Sequence, residues 1–456
     1  QEETPAAGAA IAAASPAGPH AQDLQKQDEP AEPMPRLSPQ PPPQPAAAQV
    51  AQPLQPVRVK RTDAIEEQRS KLPAVMVEQE LVETVLSNDV TLVCGDTGCG
   101  KSTQVPQYLL EAGYRGIVVT QPRRIAAVSL ARRVAHERME GRGSAIGHQI
   151  RFESNRSHST KVLFVTEGIL FRLLEADIEA SEFQVIVVDE VHERHLSVDL
   201  LLGILRQVIL SRRRDLRLVL MSATLQRELF VDFFKLDSDA VIDVPGRAFP
   251  VETEHIELPD EPLSIRNDII RRPKKRTSFD CEPYIGVLRR IEQSTNEFER
   301  GDVLIFVPGA FEIQAVVAAI QTYSAKTRRW IALPLHSQLA SEQQDKVFDI
   351  APQGVRKVVV ATNIAETSVT IDGVRFVIDS GKMKGMDVDA ASSVRHLAER
   401  WVSQASAEQR KGRAGRTGPG RCFRLYSERL FGELEPFMQA EVQRAALETP
   451  LLQVLA

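Results

Sequence analysis

The stretch GDTGCGKST, residues 95–103, limits the possible folds of this chain more than any other part of it. An apolar run at 91–94 leads into it and a helical pattern follows. A strand that feeds a glycine-rich turn and then opens a helix is the setting in which G-x-x-x-x-G-K-[ST] cradles a phosphate chain. Gly95, Gly98 and Gly100 let the backbone turn tightly and aim N–H groups at phosphate oxygens, with Asp96, Thr97 and Cys99 completing the loop and Thr103 following it. Lys101 supplies a point charge, and Ser102 a hydroxyl suited to Mg²⁺. The loop therefore predicts an α/β domain that binds nucleotide at one edge of a parallel sheet.

Short apolar runs at 116–120, 161–166, 185–189 and 217–221 alternate with helical stretches, as parallel strands buried on both faces should. A second set follows at 302–307, 330–335, 357–361, 375–378 and 422–426, so two α/β sheets are expected in tandem. A helix is expected over 64–86, ahead of the first strand. Residues 252–301 read as a solvated loop or insertion, whose cluster Arg271, Arg272, Lys274, Lys275 and Arg276 is exposed surface or, alternatively, a nuclear-import or RNA contact. Beyond Glu428 the pattern reads as the start of a further helical domain.

Up to Arg58 the chain holds 13 of its 28 prolines and almost no large apolar residues, so this segment cannot bury enough surface to offset its ordering entropy. It is expected to be disordered, with a role as an interaction tail as the sharper alternative. A net charge of -5 argues against binding nucleic acid through bulk charge and requires any such contact to be focused. The four cysteines, Cys94, Cys99, Cys281 and Cys422, lack C-x-x-C spacing, which disfavours a zinc site or disulfide framework and fits a reducing compartment, cytoplasm or nucleus. No apolar run is long enough to cross a bilayer. A start at Gln1 and an apolar end lead us to expect a portion of a longer protein.

The strand at 185–188 delivers Asp189 and Glu190 to its C-terminal end, where such sheets bind ligands. Asp189 is assigned to Mg²⁺ through the ion's water shell, together with Ser102. Glu190 is assigned to the attacking water as its base, because hydrolysis needs one carboxylate for charge balance and another to take a proton. His192 is expected to relay phosphate state to the hydroxyls of Ser222 and Thr224. Late in the chain, QRKGRAGR (409–416) places Arg413 and Arg416 three apart, on one face of a helix, so that both reach one anionic target. Gly412, Ala414 and Gly415 allow close approach, and Gln409 lies one turn earlier, able to orient the lytic water or bind the γ-phosphate. The two halves together imply an ATP site shared between two domains.

GDTGCGKST, TQPRR (120–124), TEGIL (166–170), DEVHER (189–194), SAT (222–224), ATNIAETSVTIDG (361–373) and QRKGRAGR, in this order, resemble the motifs of DEAH-box RNA helicases of superfamily 2. The resemblance runs from about Leu72 to the C-terminus, and DEVHERHL with RKGRAGRTGPG is most similar to the branch associated with nonsense-mediated mRNA decay. It implies two tandem RecA-like domains with parallel sheets: a tail over 1–60, a helical lead-in and first domain over 61–247, a second over 248–428 and the start of a helical or winged-helix region over 429–456. It implies a base sandwiched by Arg133 and Phe348, hence tolerance of other nucleoside triphosphates, and Asp372 near the ribose and phosphates. It also implies RNA backbone contacts at Arg123, Arg124, Thr166, Thr362 and Asn363, and a strand-separating β-hairpin within 381–401. Contacts of this kind position a strand without reading its bases.

Asp96, Cys99 and Val191 depart from the family's usual glutamate, serine and alanine without removing a catalytic group. Gly309-Ala310-Phe311-Glu312 stands where the family carries G-Q-E-E in a loop, so two polar RNA contacts are missing. The implied activity is ATP-dependent movement on single-stranded RNA or remodelling of RNA–protein complexes. The alternative is an RNA-decay scaffold whose ATPase switches partner binding with little unwinding.

Overall fold

The computed structural model describes residues 54–445 except 142–144, 212–214, 224–225, 247–248, 260, 263–264, 266–278, 296–300, 353, 367–370 and 389–394. The tail up to residue 53, the basic cluster at 271–276 and the last residues from 446 lie outside the described residues.

The expected lead-in helix is broken. It comprises α1 (Asp63–Ser70), a 3₁₀ turn (Pro73–Val77) and α2 (Glu78–Ser87), because Pro73 cannot continue a helix but opens the tighter turn. In chain order the first lobe continues with β1 (Val90–Gly95), α3 (Lys101–Ala112), β2 (Ile117–Gln121), α4 (Arg124–Glu137), β3 (Ile146–Ile150), β4 (Glu153–Ser154), β5 (Val162–Thr166), α5 (Glu167–Ala176), β6 (Val185–Val188), α6 (Leu196–Ser211), β7 (Arg217–Ser222), α7 (Arg227–Phe234) and β8 (Val241–Val244). These strands form one sheet in the order β4-β3-β5-β2-β6-β7-β1-β8, parallel except for β4 against β3. β1, which carries the phosphate loop, lies between β7 and β8 and one strand away from β6.

Alternate residues of each strand serve opposite faces. Val185 and Val187 join the core beneath α2, α3 and α4, while Ile186 and Val188 join the core beneath α5, α6 and α7. All four are wholly buried, which is why the run carries no polar residue.

The second lobe contains β9 (Val251–His255), α8 (Glu282–Ser294), β10 (Asp302–Phe306), α9 (Ala310–Thr327), β11 (Trp330–Leu335), α10 (Ser341–Asp345), β12 (Arg356–Ala361), β13 (Val374–Asp379), β14 (Lys382–Val388), β15 (Arg395–Trp401), α11 (Gln404–Gly412), β16 (Gly420–Arg424) and α12 (Glu428–Glu433). Its six-stranded sheet is parallel throughout, in the order β11-β12-β10-β13-β16-β9. The architecture is thus the expected pair of RecA-like α/β lobes. Residues 252–301 are not simply a loop: β9 is the edge strand beside β16, and α8 buries Tyr284, Leu288 and Ile291 against the sheet.

β14 and β15 form an antiparallel hairpin paired from Lys382↔Trp401 to Val388↔Arg395. Residues 309–312 open α9 instead of forming a loop, with Gly309 as the N-cap. Glu312 is buried and accepts from Lys384 Nζ of the hairpin at 2.8 Å, leaving Phe311 exposed beside it. After the short α12, the described chain continues to a 3₁₀ turn at Glu441–Gln443.

The four cysteines are free thiols. Among the described residues no helix is long and apolar enough to cross a membrane.

Candidate active site

The phosphate loop leaves β1 with φ of 92° at Gly98 and 100° at Gly100, left-handed values that a side chain disfavours. Gly100 is the N-cap of α3, so Lys101, Ser102 and Thr103 form its first turn, where amide groups point outward toward an anion. Buried Lys101 donates to the Gly95 carbonyl and, at 3.1 Å, to that of Asp96, with Cys99 Sγ 3.6 Å away. Thr103 turns its hydroxyl back to the Gly100 carbonyl at 3.1 Å. The lead-in braces the loop from behind through a bond from Ala74 N to the Cys99 carbonyl, 2.9 Å long.

Asp189 and Glu190 follow β6 and are both buried, at 1% and 8% exposure. Asp189 accepts from Gln121 Nε2 at 2.7 Å and from Glu190 N at 2.9 Å, and is hydrogen-bonded by Ser102. Burial and the charge of Glu190 push its carboxyl up to about 6, against the lowering hydrogen bonds of Ser102 and Gln121. A hydroxyl and a charge-starved carboxylate converging beside a helix N-terminus form a donor set of hard oxygens, which suits Mg²⁺.

Glu190 has a φ of 54°, unusual for a residue with a side chain, and a turn that holds such a conformation does so against strain. Burial raises its carboxyl, and the charge of Lys101 opposes the rise. Burial drives the His192 imidazole down to about 4, so near neutral pH it is uncharged and its Nδ1 accepts from Ala223 N at 3.1 Å. The relay expected through the Ser222 hydroxyl is corrected here. The contact is to a backbone amide, Ser222 Oγ donates to the Ala223 carbonyl at 2.8 Å, and Thr224 lies outside the described residues.

The second lobe meets this surface with the turn after α11. The α-helix ends at Gly412 and tightens into a 3₁₀ turn over Arg413–Gly415, so the two arginines do not share an α-helical face as expected. Arg416 follows that turn, and both guanidinium groups still feel the charge of Glu190. Arg416 Nε lies 3.2 Å from the position a Cβ would take at Gly98. Arg413 Nε donates to the Glu366 carbonyl at 2.8 Å. Burial and the charge of Arg416 hold Arg413 well below the usual guanidinium range, and the charge of Glu190 works against this. Burial brings Arg416 down to about 10, against the charges of Glu190 and Asp372. Two cations, Glu190 and the loop glycine are therefore gathered at one place, from both lobes.

Arg133 donates to Glu137 at 2.6 Å and stays half exposed, while Phe348 stands partly exposed on the 3₁₀ turn after α10. Next to them Arg132 and Asp345 form an ion pair at 3.5 Å across the two lobes. Asp372 is exposed, and Gln409 is half-buried on α11. Arg123, the N-cap of α4, pairs with Glu193 at 3.3 Å; Arg124 is exposed. Thr166 ends β5, and Thr362 and Asn363 follow β12. All five expected RNA contacts thus lie at, or within three residues beyond, the C-terminal ends of strands.

Sequence reading missed Glu366 and Arg410. Glu366 accepts from Arg410 Nε at 2.9 Å and from the Ser406 hydroxyl, while its carbonyl holds Arg413. Arg410, wholly buried, also donates to Asp379 at 2.7 Å. The signal was their position inside ATNIAETSVTIDG and QRKGRAGR, but nothing in either motif says that the two bond each other.

Residues 76–230 match the DEAD/DEAH box helicase family and residues 286–418 the helicase conserved C-terminal domain, together more than half of the chain. The chain is 48% identical over 394 residues, 86% of its length, to the human protein named probable ATP-dependent RNA helicase DHX34, of which it spans 33%. It is 39% identical over 410 residues to the Caenorhabditis elegans protein named probable ATP-dependent RNA helicase DHX35 homolog, matching 86% of this chain and 53% of that one. The crystal structure of Escherichia coli DEAH/RHA helicase HrpB superposes with a TM-score of 0.73 at 34% identity, covering 84% of this chain and 46% of that one.

Proposed function

Since the chain belongs to the DEAD/DEAH box helicase family, we propose that it hydrolyses ATP between its two lobes to move on single-stranded RNA or remodel RNA–protein complexes. The observation that carries this reading is the placement of Arg413 and Arg416 of the second lobe against Glu190 and Gly98 of the first. Lys101 and the loop amides bind the triphosphate, and Arg413 and Arg416 face the charge that builds on the transferred phosphoryl group. Glu190, whose carboxyl burial has made more basic, orients a water and takes its proton. Mg²⁺, when held by Ser102 and Asp189, neutralises phosphate charge. Gln409 orients the same water from the second lobe.

Arg133 and Phe348 stack on the base without reading it, so other nucleoside triphosphates serve as well. Arg123, Arg124, Thr166, Thr362 and Asn363 grip the RNA backbone across both lobes, and cycles of closure move the strand 3′ to 5′, with the hairpin of β14 and β15 parting a duplex. The setting is RNA processing or mRNA decay, in the cytoplasm or nucleus. Protein partners would bind the N-terminal tail or regions beyond this chain. Turnover measured with and without single-stranded RNA, with DNA for comparison, tests the reading; RNA-independent turnover sinks its motor part.

A second reading, a decay scaffold with little unwinding, is favoured by one observation. At 309–312 no glutamine faces outward, and Glu312 is engaged with Lys384. Turnover without strand displacement by the full-length protein would select it.

A further inference from the structure

The stretch that follows the second lobe bonds to three parts of the machine at once. Gln404 N and Ala405 N, at the start of the helix carrying the arginine turn, donate to the carbonyls of Glu435 and Pro436 at 2.9 and 3.1 Å. Farther on, Glu441 N donates to the Arg194 carbonyl at 3.1 Å, and its Oε2 accepts from Leu196 N at 3.0 Å across 245 residues of sequence. Arg444 Nη1 then donates to the Met386 carbonyl of the hairpin at 3.3 Å.

Arg194 and Leu196 bracket the end of the turn that begins at Glu190. That turn is contorted at both ends, with φ of 54° at Glu190 and 51° at Arg194, so its shape is not the local minimum of its own residues. Glu441 supplies two of the bonds that hold it. Its carboxylate sits on the first amide of α6, a 16-residue helix whose dipole favours a negative charge there. Glutamate has the reach and the charge for this, and its own backbone fixes the register.

We propose that Glu441 is a positioning residue for hydrolysis, through which the segment after the second lobe sets the geometry of Glu190 and His192 and ties it to the hairpin. This rests on the hydrolytic reading above. Glu441 touches none of the nucleotide-binding groups, so its effect falls on turnover and not on ATP affinity.

The test compares Glu441→Ala and Glu441→Gln in this chain, reading steady-state ATP hydrolysis with saturating single-stranded RNA, thermal midpoint, and amide hydrogen exchange over residues 189–200. In the alanine variant kcat falls roughly 10-fold, as small displacements of reacting groups do, with KM for ATP unchanged. Exchange at Leu196 rises by roughly 10-fold as the bond is lost. Glutamine, which still accepts from Leu196 N, restores most of both. A wild-type kcat in the alanine variant overturns the proposal, as does a loss that follows the thermal midpoint and is not restored by glutamine. If the wild-type chain shows no turnover, the hydrolytic reading fails instead, and unchanged exchange in the alanine variant then overturns the contact independently.

Discussion

Arg416 of the second lobe lies against Gly98 of the phosphate loop, with its Nε 3.2 Å from the point where a Cβ would project. The glycine is needed twice over, for its φ of 92° and for the space that the guanidinium takes. Gly98→Ala should therefore lower kcat through the displaced arginine, beyond the roughly 1 kcal/mol that a left-handed alanine costs in stability. In the Arg416→Ala background the same change should cost turnover much less. A double-mutant cycle on kcat/KM measures the difference, and strict additivity would count against the contact.

Removing the guanidinium itself separates binding from chemistry. Arg416→Ala is expected to reduce kcat by on the order of 10³-fold, the low end for an arginine supplied across a domain interface, while ATP affinity changes little. Arg416→Lys should not recover it, since an ammonium offers a point charge in place of a planar fork. Single-turnover rates alongside nucleotide binding give the split.

Lys101 and Glu190 should fail in opposite ways. Lys101→Ala loses the charge that Gly95 and Asp96 hold in place and should abolish nucleotide binding. Glu190→Gln keeps the shape of the turn but cannot take a proton, so nucleotide binds and turnover stops. Equal hydrolysis by Glu190→Gln and wild type would end the assignment of the base.

His195 provides a pH signature. Burial alone would lower its pKa, but the hydrogen bond to Glu167 and the charges of Glu193 and Glu167 outweigh it and raise it to about 9. Because the folded pKa lies above the unfolded value near 6.5, this contribution to stability is complete below about pH 6.5 and disappears as pH rises through 9. Denaturation midpoints should fall across that window in the wild type and stay flatter in His195→Gln. Parallel curves would rule the ion pairs out as a source of stability.

The sequence revealed those parts of the fold whose residues all say the same thing. β6 was legible because every one of its residues is buried and both faces need apolar side chains. β9 was not: its V-E-T-E-H is half-buried at the sheet edge, with Arg421 of β16 lying 3.3 Å from Glu254, and nearly all of it was read as part of a solvated loop or insertion. The lead-in was mistaken for one helix because its apolar spacing carries through Pro73. At the site, the phosphate loop and Asp189 were legible because their chemistry demands particular side chains. The partner of His192 was not, since a backbone amide leaves no mark on sequence. Glu366, Arg410 and Glu441 act through bonds that only tertiary structure makes.

The connection between the lobes, after Val244 and before Val251, adjoins both halves of the site. Gly246 lies against the Asp96 side chain of the phosphate loop, and Phe249 N donates to the Gly415 carbonyl at 2.9 Å. Three residues of sequence therefore separate a contact to the phosphate loop from a bond to the arginine turn, so the same short linker that joins the lobes also touches the element each lobe brings to the site.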